Sequence, residues 1–139
     1  MNRYIFYDKE NLHDNGLVGL EYLTTKDTLI IFYSDKVKSL LITTYQKLKE
    51  SKANVIFIRT TSEGQNALDF QLTCLLGVYI EKYQAGEFSI VSKDKGFRFT
   101  LNFCKEYLSN DNISFDQYSS IKEIVYEDKL TNVKQLKNA

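Results

Sequence analysis

Apolar residues in this chain come in blocks. Residues 3–8 (Arg-Tyr-Ile-Phe-Tyr-Asp), 28–33, 54–58 and 88–92 are short, nearly unbroken runs of β-branched and aromatic side chains, and residues 113–118 form a weaker fifth run. Runs of this kind, without strict two-residue alternation, are expected of strands covered on both faces. Between them the apolar positions recur at helical spacing. Leu17, Leu20 and Leu23 make a short stripe. Val37, Leu40, Leu41, Tyr45 and Leu48 predict a helix over residues 37–49, with Ser34 or Asp35 placed to cap it. Leu68, Leu72, Leu75, Leu76, Tyr79, Ile80 and Tyr83 predict a long helix over 67–83, closed at Ala85-Gly86. Phe97, Leu101, Cys104 and Leu108 predict another over 96–108, and residues 121–136 a charged, peripheral one. Residues 9–16 and 60–66 are polar loops.

Strands alternating with helices in this way predict an α/β fold: three layers, with a central parallel five-stranded sheet and helices on both faces. The chain reads as one domain over residues 1–139, with its core at about 3–118 and a peripheral helical segment at 119–139. At 139 residues it can bury a core without disulfides. Cys74 and Cys104 both lie in helical apolar patterns and are expected to be buried thiols. There is no proline, so element ends must be set by Gly, Asn, Asp and Ser. No signal peptide or long apolar run is visible, which points to the cytoplasm and to no membrane partner. The 18 basic and 18 acidic residues balance, so overall charge does not announce a nucleic-acid partner. A local basic rim on a neutral protein remains compatible with one.

The candidate chemistry is acidic. In a parallel sheet every strand ends at the same edge, and ligands bind in the crevice there. Asp8 ends the first strand, Ser92 and Asp94 end the fourth, and Asp69 sits in the first turn of the helix that follows the third. Asn11 lies three residues after Asp8, close enough to reach back over the strand end. One aspartate after a strand is commonly a turn residue, and Asp69 alone would suit a helix dipole. Their joint placement on one rim is what asks for a divalent cation, since clustered carboxylates repel unless a cation or proton offsets them. Hard oxygen donors with no Cys or His nearby favour Mg²⁺ or Mn²⁺.

Asp8-x-x-Asn11, Ala67-Leu-Asp69 at a helix start and Ser92-x-Asp94-x-x-Phe97, in that order, resemble the PIN-like nuclease superfamily, closest to its NYN branch. The resemblance spans residues 4–118 and implies a metal-dependent endoribonuclease that hydrolyses phosphodiester bonds of single-stranded or structured RNA. It also implies that Asp8, Asp69 and Asp94 are the catalytic metal ligands, supported by Asn11 and Ser92. Many members carry a fourth acid, for which Glu63, Asp35 and Asp116 are the candidates here. Lys93, Lys95, Arg98 and His13 flank the site and are candidate RNA contacts. A homodimer is a further expectation. The main alternative is a non-catalytic binding module on the same scaffold. A phospho-accepting receiver domain is disfavoured because Arg59-Thr-Thr ends the third strand where an acceptor aspartate is needed. Asp8-Lys9-Glu10 departs from the Asp-x-Asp of a haloacid-dehalogenase-like phosphatase.

Overall fold

The computed structural model describes residues 1–61 and 64–128. Five strands form one sheet: β1 (Arg3–Asp8), β2 (Asp27–Tyr33), β3 (Asn54–Arg59), β4 (Gly86–Val91) and β5 (Ile113–Tyr118). All pairings are parallel and the spatial order is β3-β2-β1-β4-β5. The predicted α/β architecture is therefore present. β1 is central and buried along its whole length, as its unbroken apolar run requires. β3, at one edge, is largely half-exposed.

The two faces of β1 feed two separate cores. Tyr4 and Phe6 point to one side, where they meet α3 (Ala67–Tyr83) through Leu68, Leu72, Leu76 and Ile80. α4 (Phe97–Tyr107) closes that side with Phe97, Leu101 and Cys104. Ile5 and Tyr7 point to the other side, towards Leu12, Leu17, Leu20 and Leu48. Ile121 and Ile124, from a helical segment at residues 121–128, complete this second core. Each of these side chains, once buried, contributes roughly 1.5–3 kcal/mol of transfer free energy, so β1 is the part of the chain that both layers hold in place. The remainder of the helix expected over 121–136 lies outside the described residues. Among the described residues, no helix is long and apolar enough to cross a membrane.

Four local expectations are corrected. The stripe at Leu17–Leu23 forms two 3₁₀ turns, Asn15–Leu17 and Leu20–Tyr22. Gly19 separates them at φ 96°, with the Lys122 backbone so close that a Cβ would lie 2.7 Å from it. The helix expected from residue 37 begins later, as α2 (Ile42–Glu50), and neither Ser34 nor Asp35 caps it. Asp14 accepts the Leu41 N–H at 2.9 Å, and the Lys9 ammonium takes the Ser39 carbonyl at 2.6 Å, which holds the preceding residues out of the helix. The polar stretch after β1 contains a short helix, α1 (Lys9–Leu12). Finally, Cys104 is buried as expected, but Cys74 is exposed; both are free thiols.

Candidate active site

The strand order reverses at β1, whose neighbours are β2 on one side and β4 on the other. In an open parallel sheet the crevice at this reversal, outside the strand ends, is where ligands bind. β1 and β4 run in register to Tyr7↔Val91, so Asp8 and Ser92 emerge side by side. The Ser92 hydroxyl donates to Asp8 Oδ2 at 2.9 Å, and the Asn11 N–H donates to Asp8 Oδ1 at 3.1 Å. Asp8 thereby caps α1 while keeping its carboxylate on the rim.

The same serine also shapes the next loop. Ser92 Oγ accepts the Asp94 N–H at 3.1 Å, and Asp94 Oδ1 accepts the Gly96 N–H at 2.9 Å. Asn11 Oδ1 accepts the Lys93 N–H at 2.8 Å, tying the loop after β1 to the loop after β4. Gln117, on β5, braces this loop from beneath, donating through Nε2 to the carbonyls of Ser92 and Asp94, each at 2.8 Å. Phe97 is buried below the loop, as expected of a core residue.

Across the cleft, Asp69 projects from the first turn of α3. Asp8, Asp69 and Asp94 share one cleft of about 210 Å³, and Glu10 and Asn66 line it with them. Among the described residues, no side-chain cation lines this cleft. Lys9, between Asp8 and Glu10, turns away: its ammonium is buried against Asp14 Oδ1 at 3.0 Å and the Ser39 carbonyl. The crowding shows in the acids themselves. Burial, the negative charge of Asp8 and a hydrogen bond with Asp94 push the Asp69 carboxyl up from 3.8 to about 6. Burial also raises Asp8, and the charges of Glu10 and Asp94 add to this, against the Asn11 N–H and the Ser92 hydroxyl, which stabilise its ionised form.

This donor set suits a hard divalent cation: carboxylate and amide oxygens, excess negative charge and no competing thiolate or imidazole. Among the described residues, no three Asp, Glu, His or Cys side chains are yet gathered closely enough to hold an ion by themselves. A cation that keeps several of its waters and takes one or two carboxylates, as Mg²⁺ commonly does, fits such an open arrangement.

Of the candidate fourth acids, Asp35 and Asp116 lie elsewhere. Glu63 lies outside the described residues. Asp35 lines a neighbouring cleft, paired with Arg59 at 2.6 Å. Asp116 lines a third cleft with Arg3 and Glu87, from the starts of β1 and β4. Among the described residues, the acid that joins the three aspartates is Glu10, which the sequence reading passed over, as it did Asn66 and the brace Gln117. Glu10 had a legible signal: it is two residues past Asp8, on the same turn that Asp8 caps. Gln117 had almost none, being one polar residue in a weak strand.

Of the candidate RNA contacts, Lys93, Lys95 and Arg98 line an open cleft beside Asp94. His13 does not line the acidic cleft; its carbonyl accepts the Tyr7 hydroxyl at 2.6 Å, at a backbone φ of 55°. A family model described as PIN domain matches residues 2–134. Neither a curated protein nor a solved structure matches the chain.

Proposed function

The chain belongs to the PIN domain family, whose members are usually nucleases, and from that premise we propose that it is a divalent-metal-dependent endoribonuclease hydrolysing RNA phosphodiester bonds. The observation that carries the reading is the cleft at the reversal of strand order, where Asp8, Glu10, Asp69 and Asp94 meet and, among the described residues, no side-chain cation offsets them. Asp8-x-x-Asn11 and Ser92-x-Asp94 support placing the chain nearest the NYN branch.

Asp8, Asp69, Asp94 and Glu10 would hold Mg²⁺ or Mn²⁺, which when bound lowers the pKa of water and offsets phosphate charge. The chain's own groups position the reaction. Ser92 fixes the rotamer of Asp8 and the path of the Asp94 backbone with a single hydroxyl. Asn11 and Gln117 keep the two loops at a constant separation. Asp69, pushed up to about 6 by burial and by the charge of Asp8 in the metal-free site, is the carboxylate that a bound cation would relieve most. Lys93, Lys95 and Arg98 would neutralise backbone phosphates on the β5 side of the cut.

The test is incubation of labelled single-stranded RNA with the protein in Mn²⁺ or in EDTA, comparing wild type with Asp8→Asn. Cleavage is expected only for wild type in Mn²⁺, and cleavage that survives either EDTA or the substitution would refute the reading. A second reading, a scaffold that binds RNA without turnover, is favoured by one observation: the lack of three gathered ligands among the described residues. RNA binding with no cleavage in any metal would select it.

A further inference from the structure

Beside the acidic cleft lies a second one, of about 240 Å³, at the ends of β2 and β3. Glu10 lines both, so they adjoin. Its polar wall is Ser34, Asp35, Lys36, Arg59 and Thr60. Ser34 follows β2 in a tight turn, in which the Val37 N–H donates to the Ser34 carbonyl at 3.1 Å. The turn brings Lys36 over the cleft, and Asp35 holds the Arg59 guanidinium beside it at 2.6 Å.

Two independent observations mark this cleft as built to receive something. The first is an orphan. Ser34 is 8% exposed, and its hydroxyl is, among the described residues, the one buried side-chain polar atom without a hydrogen-bond partner. Buried polar groups are almost always satisfied, so an unsatisfied one on a cleft wall is suited to a ligand atom. The second is the order of charges along the rim. Following β3-β2-β1-β4-β5, the first cleft carries Lys36 and Arg59 beside Asp35 and the shared Glu10, the middle one carries four acids, and the third Lys93, Lys95 and Arg98 beside Glu123, so side-chain cations stand only in the outer two among the described residues. A polyanion drawn across the acidic cleft needs neutralising groups on both sides of it. Lys93, Lys95 and Arg98 supply one side only.

We propose that the Ser34–Lys36–Arg59 cleft is a subsite for the nucleotide unit next to the scissile phosphate, on the side opposite Lys93 and Arg98. The proposal rests on the ribonuclease reading above. Lys36 and Arg59 take the phosphate, and the Ser34 hydroxyl takes a sugar or phosphate oxygen. The volume falls just below the roughly 300 Å³ typical of the smallest ligand pockets, which suits one nucleotide and not a duplex.

The experiment measures fluorescence anisotropy of a labelled single-stranded oligoribonucleotide of about 12 nucleotides. Every protein carries Asp8→Asn to prevent turnover, and KCl is varied between about 50 and 200 mM. Lys36→Ala is expected to weaken binding about three- to tenfold and to reduce the slope of log K against log salt by about 0.7, the value for one single-strand phosphate contact. Ser34→Ala is expected to weaken binding while raising the melting temperature of the RNA-free protein, because it removes the orphan. A purely structural serine would not move the two readouts in opposite directions. Asp35→Asn, which removes a negative charge from the cleft wall, is expected to tighten binding. Lys52→Ala, an exposed lysine just before β3 and so at the other pole of the sheet, serves as the control. Unaltered affinity and slope in Lys36→Ala and Ser34→Ala, or an equal loss in Lys52→Ala, would overturn the subsite while leaving the ribonuclease reading intact. A folded Asp8→Asn protein that binds no RNA would overturn both.

Discussion

Replacing Asp69 by asparagine should make the metal-free protein more stable at neutral pH. The native carboxyl sits at about 6 against an ordinary 3.8, through burial, the charge of Asp8 and the hydrogen bond with Asp94. At about 1.36 kcal/mol per pH unit, holding it ionised at pH 7 would cost roughly 3 kcal/mol if the site were dry. Asp69 is only half-buried, and solvent screening reduces this to about 1–1.5 kcal/mol. Asparagine resembles the protonated acid in shape and can still donate to Asp94, so it removes the cost without breaking the contact. The sign follows from proton linkage. Between about pH 4 and 6 the native state binds the Asp69 proton more tightly than the unfolded chain does, so this residue's contribution to stability falls as pH rises through that window. The melting temperature of Asp69→Asn minus that of wild type, in EDTA, should therefore be near zero at pH 4 and grow to roughly 3–7 °C by pH 7. Millimolar Mn²⁺ should raise the melting temperature of wild type more than that of the variant, because a ligand stabilises the state that binds it. Scanning calorimetry across pH in both conditions measures all of this. A difference that stays flat with pH, or a variant less stable than wild type at pH 7, would refute the reasoning.

Three further substitutions probe the supports of the site. Ser92→Ala removes the hydroxyl shared by Asp8 and the Asp94 N–H; cleavage should fall about 10- to 100-fold in single-turnover assays, and urea melts should show a loss of about 1–3 kcal/mol. Asp14→Ala leaves the Lys9 ammonium, 2% exposed, without its carboxylate partner. It should cost about 3–5 kcal/mol by urea denaturation. Gly19→Ala places a Cβ against the Lys122 backbone at a φ of 96°, so about 2 kcal/mol or more of stability should be lost. The cleavage rate per folded molecule should not change.

The sheet and the three aspartates were legible because each rests on a local signal with one physical meaning. An unbroken apolar run such as Tyr4–Tyr7 has few solutions other than a strand covered on both faces, and an acid directly after it must lie at the strand's end. Parallel topology then puts Asp8, Asp69 and Asp94 on one rim, and the reversal of strand order at β1 brings them into one cleft. What was not legible depends on contacts between distant segments. The delayed start of α2 comes from Asp14 and Lys9, some 30 residues away, competing for the backbone before it. The 3₁₀ turns around Gly19 answer to the Lys122 backbone, about 100 positions further on. Gln117 acts through two carbonyls on another strand, which no spacing pattern encodes. Glu10 was legible in principle, being two residues past Asp8, but the short helix that sets it beside the cleft falls in a stretch whose composition reads as a polar loop.

Arg3, at the start of β1, meets Asp27 and Asp128 at 2.8 Å each and Glu87 at 3.7 Å. One guanidinium thus fastens the first, second and fourth strands and the helical segment at 121–128, all at the end of the sheet away from the acids. Opposed charges serve as a clasp at one end of the molecule, while like charges stand under tension at the other. Reworking the tense end, even neutralising it outright, leaves the clasp closed, so versions of this protein stripped of their acids should keep their shape.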